Sequence, residues 1–211
     1  MKDLYIIGAG GFGREVAWLV ERINKEKKLW NLKGFIDDDN ELLGKNINGL
    51  KVEGNIDFLN SLGKENFCVC AIGNAKVRKT IVNRLKNVSF ATLIDPSAIV
   101  SNRVKIGEGT IVCAGTIVTV DIEIGKHVII NLDCTIGHDD IIKDYVTIYP
   151  NVNVSGNVII GEKSEIGTGA QIIQGKNITT ECIIGAGAVV VKNIEEKGTY
   201  VGVPVKKINE V

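Results

Sequence analysis

The 211-residue chain has only two histidines, His127 and His138, and they differ in their neighbours. His138 leads into Asp139-Asp140, whereas His127 leads into Val128-Ile129. A carboxylate that bonds one imidazole nitrogen fixes the tautomer and raises the basicity of the other, which is what a general base requires. His138 and Asp139 are therefore the candidate catalytic pair. His127 reads as a surface side chain.

A second constellation lies near the N-terminus. The apolar run Leu4 to Ile7 breaks into Gly8-Ala9-Gly10-Gly11-Phe12-Gly13, and a helical pattern with Val16, Leu19, Val20 and Ile23 on one face comes next. In a strand–turn–helix context such glycines let the backbone approach a phosphate at the positive end of a helix. The next strand, Gly34-Phe35-Ile36, ends in Asp37-Asp38-Asp39, acids placed to accept from ribose hydroxyls or from a base N–H. Together these predict a nucleotide or nucleotide-sugar site. A dinucleotide needs two mononucleotide-binding halves, and roughly 90 residues leave little room for both, so NAD(P) is disfavoured.

The elements that must carry these residues are of two kinds. Up to residue 93 the pattern is a small parallel α/β domain, with a helix over 56–62, a strand over 67–72, Gly73-Asn74, a helix over 75–85 and a strand over 89–93. From Ile94 to Val190 every sixth residue is Ile or Val, with no slip of phase. That period belongs to neither a helix nor a flat strand; it is the signature of a parallel β-helix. Three hexapeptides make one triangular turn, so residues 18 apart stack, and His138 falls at a corner beneath Gly156 with Gln174 above that. A glycine over the imidazole implies a groove along the coil axis suited to a long, thin ligand. Glycines directly after the inward residues (Gly107, Gly125, Gly137, Gly161, Gly167, Gly185) read as residues that permit corner conformations. The expected domains are thus 1–93 and 94–211.

Composition narrows the function classes. Lys+Arg and Asp+Glu are 25 each and aromatics only 5%, which argues against nucleic-acid partners. Five cysteines without a C-x-x-C pair read as small buried side chains. β-Helix carbonic anhydrases need three histidines per zinc, so no metal is expected. No signal-peptide pattern or membrane-length apolar run is present, and a cytoplasmic protein without membrane insertion is expected.

Taken together, these residues resemble the bacterial hexapeptide-repeat sugar acyltransferases with an N-terminal nucleotide-sugar domain, a family that includes UDP-4-amino-sugar N-acetyltransferases and sialic acid O-acetyltransferase-like proteins. The likeness covers essentially the whole chain and rests on the glycine turn, the strand ending in Asp37, Asn131 with His138-Asp139 seven residues later, Gly185-Ala186-Gly187-Ala188-Val189-Val190, and Gly202-Val203-Pro204. The resemblance implies a Rossmann-like domain followed by a left-handed parallel β-helix, assembled as a homotrimer with its active sites between protomers. It implies acetyl-CoA lying past Gly156, Gly167, Thr168 and Ala186, with Thr147 also facing the cofactor. It further implies a nucleotide sugar, UDP-linked, held by Gly11, Phe12, Gly13, Asp37, Asp38 and Gly73. Two positions depart from the family pattern: Thr147 stands where many members have a second histidine, and Asp95 where many have the His of His-Pro-Ser. The implied reaction is N-acetylation of a UDP-4-amino-4,6-dideoxy sugar for a surface glycan or glycoprotein, with O-acetylation of a sialic acid or related sugar as the alternative. A non-catalytic nucleotide-sugar-binding scaffold is the alternative of another class.

Overall fold

The computed structural model describes residues 1–208. Two compact units divide the chain, Met1–Pro96 and the remainder from Ser97 onward.

In the first unit, β1 (Lys2–Ile7), α1 (Gly11–Glu26), β2 (Trp30–Ile36), β3 (Asn46–Ile47), β4 (Leu50–Gly54), α2 (Ile56–Ser61), β5 (Phe67–Cys70), α3 (Ala75–Arg84), β6 (Ser89–Phe90) and β7 (Leu93–Ile94) succeed one another in order. The sheet runs β3-β4-β2-β1-β5-β6, parallel except for the β3–β4 hairpin. Leu4, Ile6, Phe35, Ile36, Cys68 and Val69 are fully buried in it, as expected of central parallel strands covered on both faces. α1 lays Val16, Leu19, Val20 and Ile23 inward, which is the face its periodicity predicts. The hairpin was not anticipated, although Asn48-Gly49 carries its signal: both residues have positive φ, as a two-residue hairpin turn of this type demands.

The Asp95 departure has a structural account. Asp95 is buried and accepts a two-pronged bond from Arg22 of α1, Nε at 2.7 Å and an Nη at 2.9 Å. A fork–fork pair of this kind ties the end of the first unit to its first helix and supplies a charge partner that burial requires.

The second unit is a parallel β-helix of two-residue strands, with one of three residues, from β8 (Ile99–Val100) to β23 (Val189–Val190), stacked on three faces. Registers advance by 18: Thr135 pairs with Asn153, Ile136 with Val154, Asn153 with Gln171. The sixth-residue Ile/Val series is buried from Val112 to Val190, while Ile94 stays exposed and Val100 and Ile106 are half-buried at the open end. Each such side chain contributes about 1.5–3 kcal/mol over leaving it in water. The stack is continued by β24 (Gly198–Val201), parallel to the last full turn, and by β25 (Lys206–Ile208), antiparallel to β24.

The corners correct one expectation. From Gly109 to Gly187 every sixth residue adopts positive φ, and these are not the glycines directly after the inward positions. Those other glycines answer to space. A Cβ on Gly137 would stand 2.5 Å from Gly156 N, and one on Gly107 2.6 Å from the Gly125 carbonyl carbon. Adjacent turns of backbone approach too closely there for any side chain.

Candidate functional site

His138 sits on the corner between the face carrying Thr135-Ile136 and the face carrying Ile141-Ile142. Its Nδ1 lies 2.7 Å from Asp139 Oδ2, and both side chains are exposed, His138 by 54%. Asp139 has φ +62, the left-handed geometry repeated at the corners from Gly109 to Gly187, which Asp tolerates better than most residues. The other ring nitrogen, Nε2, lies on the Gly156 side of the imidazole.

Gly156 is buried beneath the imidazole: a Cβ there would meet His138 Nε2 at 2.5 Å and Cε1 at 2.6 Å. The expected open groove above His138 is thus filled by the ring itself. Gly156 is a seat for the imidazole.

The other residues expected around the cofactor separate. Gly167, Thr168 and Ala186 lie on the preceding corner, between the faces of Thr147-Ile148 and Thr135-Ile136, stacked through Gly187 N–H to the Thr168 carbonyl at 2.8 Å. Thr168 and Ala186 are exposed. Within one chain they border the same face as His138, but from its opposite edge. Thr147 is wholly buried and has no surface to offer a ligand, which withdraws it as a cofactor contact. His127 is also not the surface residue expected: it is 3% exposed and stacks on Tyr145 at 5.1 Å. Asn131 is buried on the same corner as Gly167, its side-chain oxygen accepting from Leu132 N–H at 2.8 Å.

In the first unit, the residues expected to hold a nucleotide sit at the carboxyl ends of three adjacent parallel strands, β2, β1 and β5, where ligands of open α/β sheets bind. Gly10 and Gly11 face open space, whereas a Cβ on Gly13 would collide with the Gly8 carbonyl, so Gly13 is what lets α1 pack on the turn. Asp37 fastens this loop, accepting from Ala9 N–H at 2.9 Å and Asp39 N–H at 3.0 Å. Asp38 accepts from Ile56 N–H and from Arg84. Arg78, fully buried, donates to the Ile72 and Gly73 carbonyls at 2.6 and 2.9 Å and fixes the β5 loop. Asp37 lines two adjoining cavities, of about 90 Å³ with Asp38 and Gly8 and of about 240 Å³ with Asn40, Asn55 and Phe58. Arg84, Asn55 and Phe58 carry no motif that would have singled them out in the sequence.

All five cysteines are free and buried, as expected, and burial pushes up the thiols of Cys68, Cys70, Cys134 and Cys182, Cys134 to about 11 and Cys70 to about 12. Thiols raised in this way are not nucleophiles at neutral pH. Among the described residues no cluster of His, Cys, Asp or Glu could hold a metal, and no helix is long and apolar enough to cross a membrane.

Residues 3–85 match the family model for the PglD N-terminal domain. The chain is 33% identical over 189 residues to GDP-perosamine N-acetyltransferase of Escherichia coli O157:H7, covering 88% of this chain and 84% of that one. It is 35% identical over 121 residues to UDP-N-acetylbacillosamine N-acetyltransferase of Bacillus subtilis, covering 54% and 52%. Among solved structures, a mutant of perosamine N-acetyltransferase from Caulobacter crescentus in complex with CoA and GDP-perosamine matches with TM-score 0.90 and 28% identity, over 100% of this chain and 98% of that one. The acetyltransferase domain of PglB from Neisseria gonorrhoeae, in complex with acetyl coenzyme A, matches with TM-score 0.88 and 34% identity, over 98% and 99%.

Proposed function

The chain belongs to the acetyl-CoA-dependent sugar N-acetyltransferases of the hexapeptide-repeat family, and from that premise we propose that it acetylates the amine of a 4-amino-4,6-dideoxy sugar carried on a nucleoside diphosphate. The observation that carries the reading is the exposed His138–Asp139 pair, seated on Gly156 at a corner of the coil. The N-terminal unit binds the nucleotide through the β1 turn and the Asp37 and Asp38 loop, and acetyl transfer takes place on the coil.

His138 Nε2 takes a proton from the sugar amine as its nitrogen attacks the thioester carbonyl. The C–S bond breaks as the tetrahedral intermediate collapses, and the CoA sulfur leaves as the thiol, taking the proton back from His138. Asp139 holds the ring and stabilises the charge it gains. Acetyl-CoA lies along the corner of Gly167, Thr168 and Ala186, which in a homotrimer would face the His138 corner of a neighbouring protomer.

The nucleotide is where the two named relatives part, one GDP-linked and one UDP-linked. The test is to offer acetyl-CoA with UDP- and GDP-linked 4-amino sugars and with CMP-sialic acid, follow free thiol, and identify the product by mass. We expect N-acetylation of one nucleoside-diphosphate amino sugar. Turnover of CMP-sialic acid alone overturns the acceptor class, and thiol release with no acceptor overturns transfer altogether.

A further inference from the structure

Most corners of the coil send a second side chain inward, and wherever that side chain is a hydroxyl it makes the same two bonds. Thr110 Oγ1 donates to the Gly125 carbonyl at 2.9 Å and accepts from Val128 N–H at 3.1 Å. Thr116 donates to the Asn131 carbonyl at 2.7 Å and accepts from Cys134 N–H at 3.3 Å. Ser164 donates to the Thr179 carbonyl at 3.0 Å and accepts from Cys182 N–H at 3.2 Å. The Cys134 thiol, in the same position, donates to the Tyr149 carbonyl at 3.2 Å. In all of these the carbonyl lies 15 residues on, and in the three hydroxyl cases the N–H lies 18 on.

Asp140 occupies this position at the His138 corner. It is wholly buried, and its Oδ1 accepts from Val158 N–H, 18 residues on, at 2.8 Å. Its Oδ2 has no hydrogen-bond partner among the described residues. The carbonyl 15 residues on is that of Ser155, and an ionised carboxylate has no proton to give it.

We propose that Asp140 is a positioning residue held as the neutral acid, donating from Oδ2 to the Ser155 carbonyl and so tying the turn that carries His138 to the turn that carries Gly156. Ser155 precedes the glycine against which the imidazole rests, so this bond sets the height of the seat relative to the base. The residues stacked one turn below and above Asp140 are Ile122 and Val158, both apolar and buried. The titratable groups that act on it are its neighbours His138 and Asp139. Burial pushes the Asp140 carboxyl up to about 7, opposed by the N–H groups of Val158 and Gly137 and by His138, and reinforced by Asp139. Above that pH two oxygen acceptors would face each other where a bond had been.

The kinetic consequence rests on His138 being the base, but the protonation state can be read without turnover. A carboxyl whose folded pKa lies above its unfolded value stabilises the fold below the unfolded pKa and loses that contribution as pH rises through the folded one. Asp140→Asn and Asp140→Ser keep a donor and an acceptor at every pH; Asp140→Val keeps neither. Between about pH 5 and pH 8 the melting temperature of the native protein should fall by several degrees relative to Asp140→Asn. Asp140→Ser, which copies Ser164, should run parallel to Asp140→Asn and replaces it in the comparison should Asn fail to fold. At neutral pH Asp140→Val should lower kcat about tenfold with the acetyl-CoA KM within about twofold, and Asn or Ser should restore most of the loss. Identical pH dependence of melting in the native protein and both polar variants overturns the proposal, as does full kcat in Asp140→Val. An active His138→Ala would remove the base and leave the melting comparison standing.

Discussion

At the scale of the residue, the proposed chemistry depends on an imidazole held by two neighbours of different kinds. Asp139 fixes it through a 2.7 Å bond, and Gly156 supports its ring by having no side chain. Removing the base in His138→Ala should lower kcat about 10²–10⁴-fold while acetyl-CoA still binds, which steady-state kinetics and calorimetric titration would check. Gly156→Ala is the sharper test. Gly156 lies outside the left-handed region, so alanine suits the backbone and the nearest conflict is with the imidazole. Because that ring is exposed and can swing away, the fold should survive with little change in melting temperature while kcat falls about 10²-fold from misplacement of the base. Native kcat in Gly156→Ala would mean that the ring works from another position. His138-Asp139 was legible because only two histidines occur and only one precedes a carboxylate. The role of Gly156 was not, since stacking in steps of 18 says which residues are adjacent but not which way a ring turns. The burial of Thr147 and His127 was equally out of reach for a periodicity that speaks only of the coil's interior.

At the scale of the element, the coil is written by two interleaved series with the same period. One is the Ile/Val series that fills the interior, plain in the sequence. The other is the left-handed corner residue, found from Gly109 to Gly187: ten of these fourteen positions are Gly, Asp or Asn, and the rest are His127, Tyr145, Lys163 and Glu181. Gly, Asp and Asn are the types that visit this region at least cost, so the signal was present, three residues after each inward position. The glycines one residue after those positions invite the same explanation, but close approach of the next turn is their reason. A substitution separates the two causes. Asn151, exposed with φ +58, should tolerate glycine with no loss, whereas Asn151→Val should cost about 1–2 kcal/mol in chemical denaturation because a β-branched residue resists positive φ. Gly137→Ala should destabilise by a different route, clash with Gly156 N, and should not be relieved by changing the corner residue.

At the scale of the whole molecule, the two candidate edges of the coil pose a problem that one chain does not solve. His138 and Gly156 border one side of the face that displays Thr135, Asn153 and Gln171; Gly167, Thr168 and Ala186 border the other. A cofactor reaching from one edge to the other of a single chain would have to lie flat across that face. Two chains side by side could instead offer one edge each, and the same face ends in exposed Ile99 and Ile117, apolar surface of the kind that copies of a chain cover in one another. These two features support the proposed homotrimer, with three equivalent sites under a closed rotation. Complementation tests it directly. His138→Ala and Ala186→Trp should each be nearly inactive alone, the first lacking its base and the second blocking the cofactor edge. Co-expressed with different tags and purified through both, they should form mixed assemblies in which a native His138 edge meets a native Ala186 edge. Each mixed trimer then carries one intact site in three, and the recovered activity should approach that fraction. Mixed assemblies of trimer mass with no recovered activity would place the whole site within one chain, and a monomer in sedimentation would remove the composite site altogether.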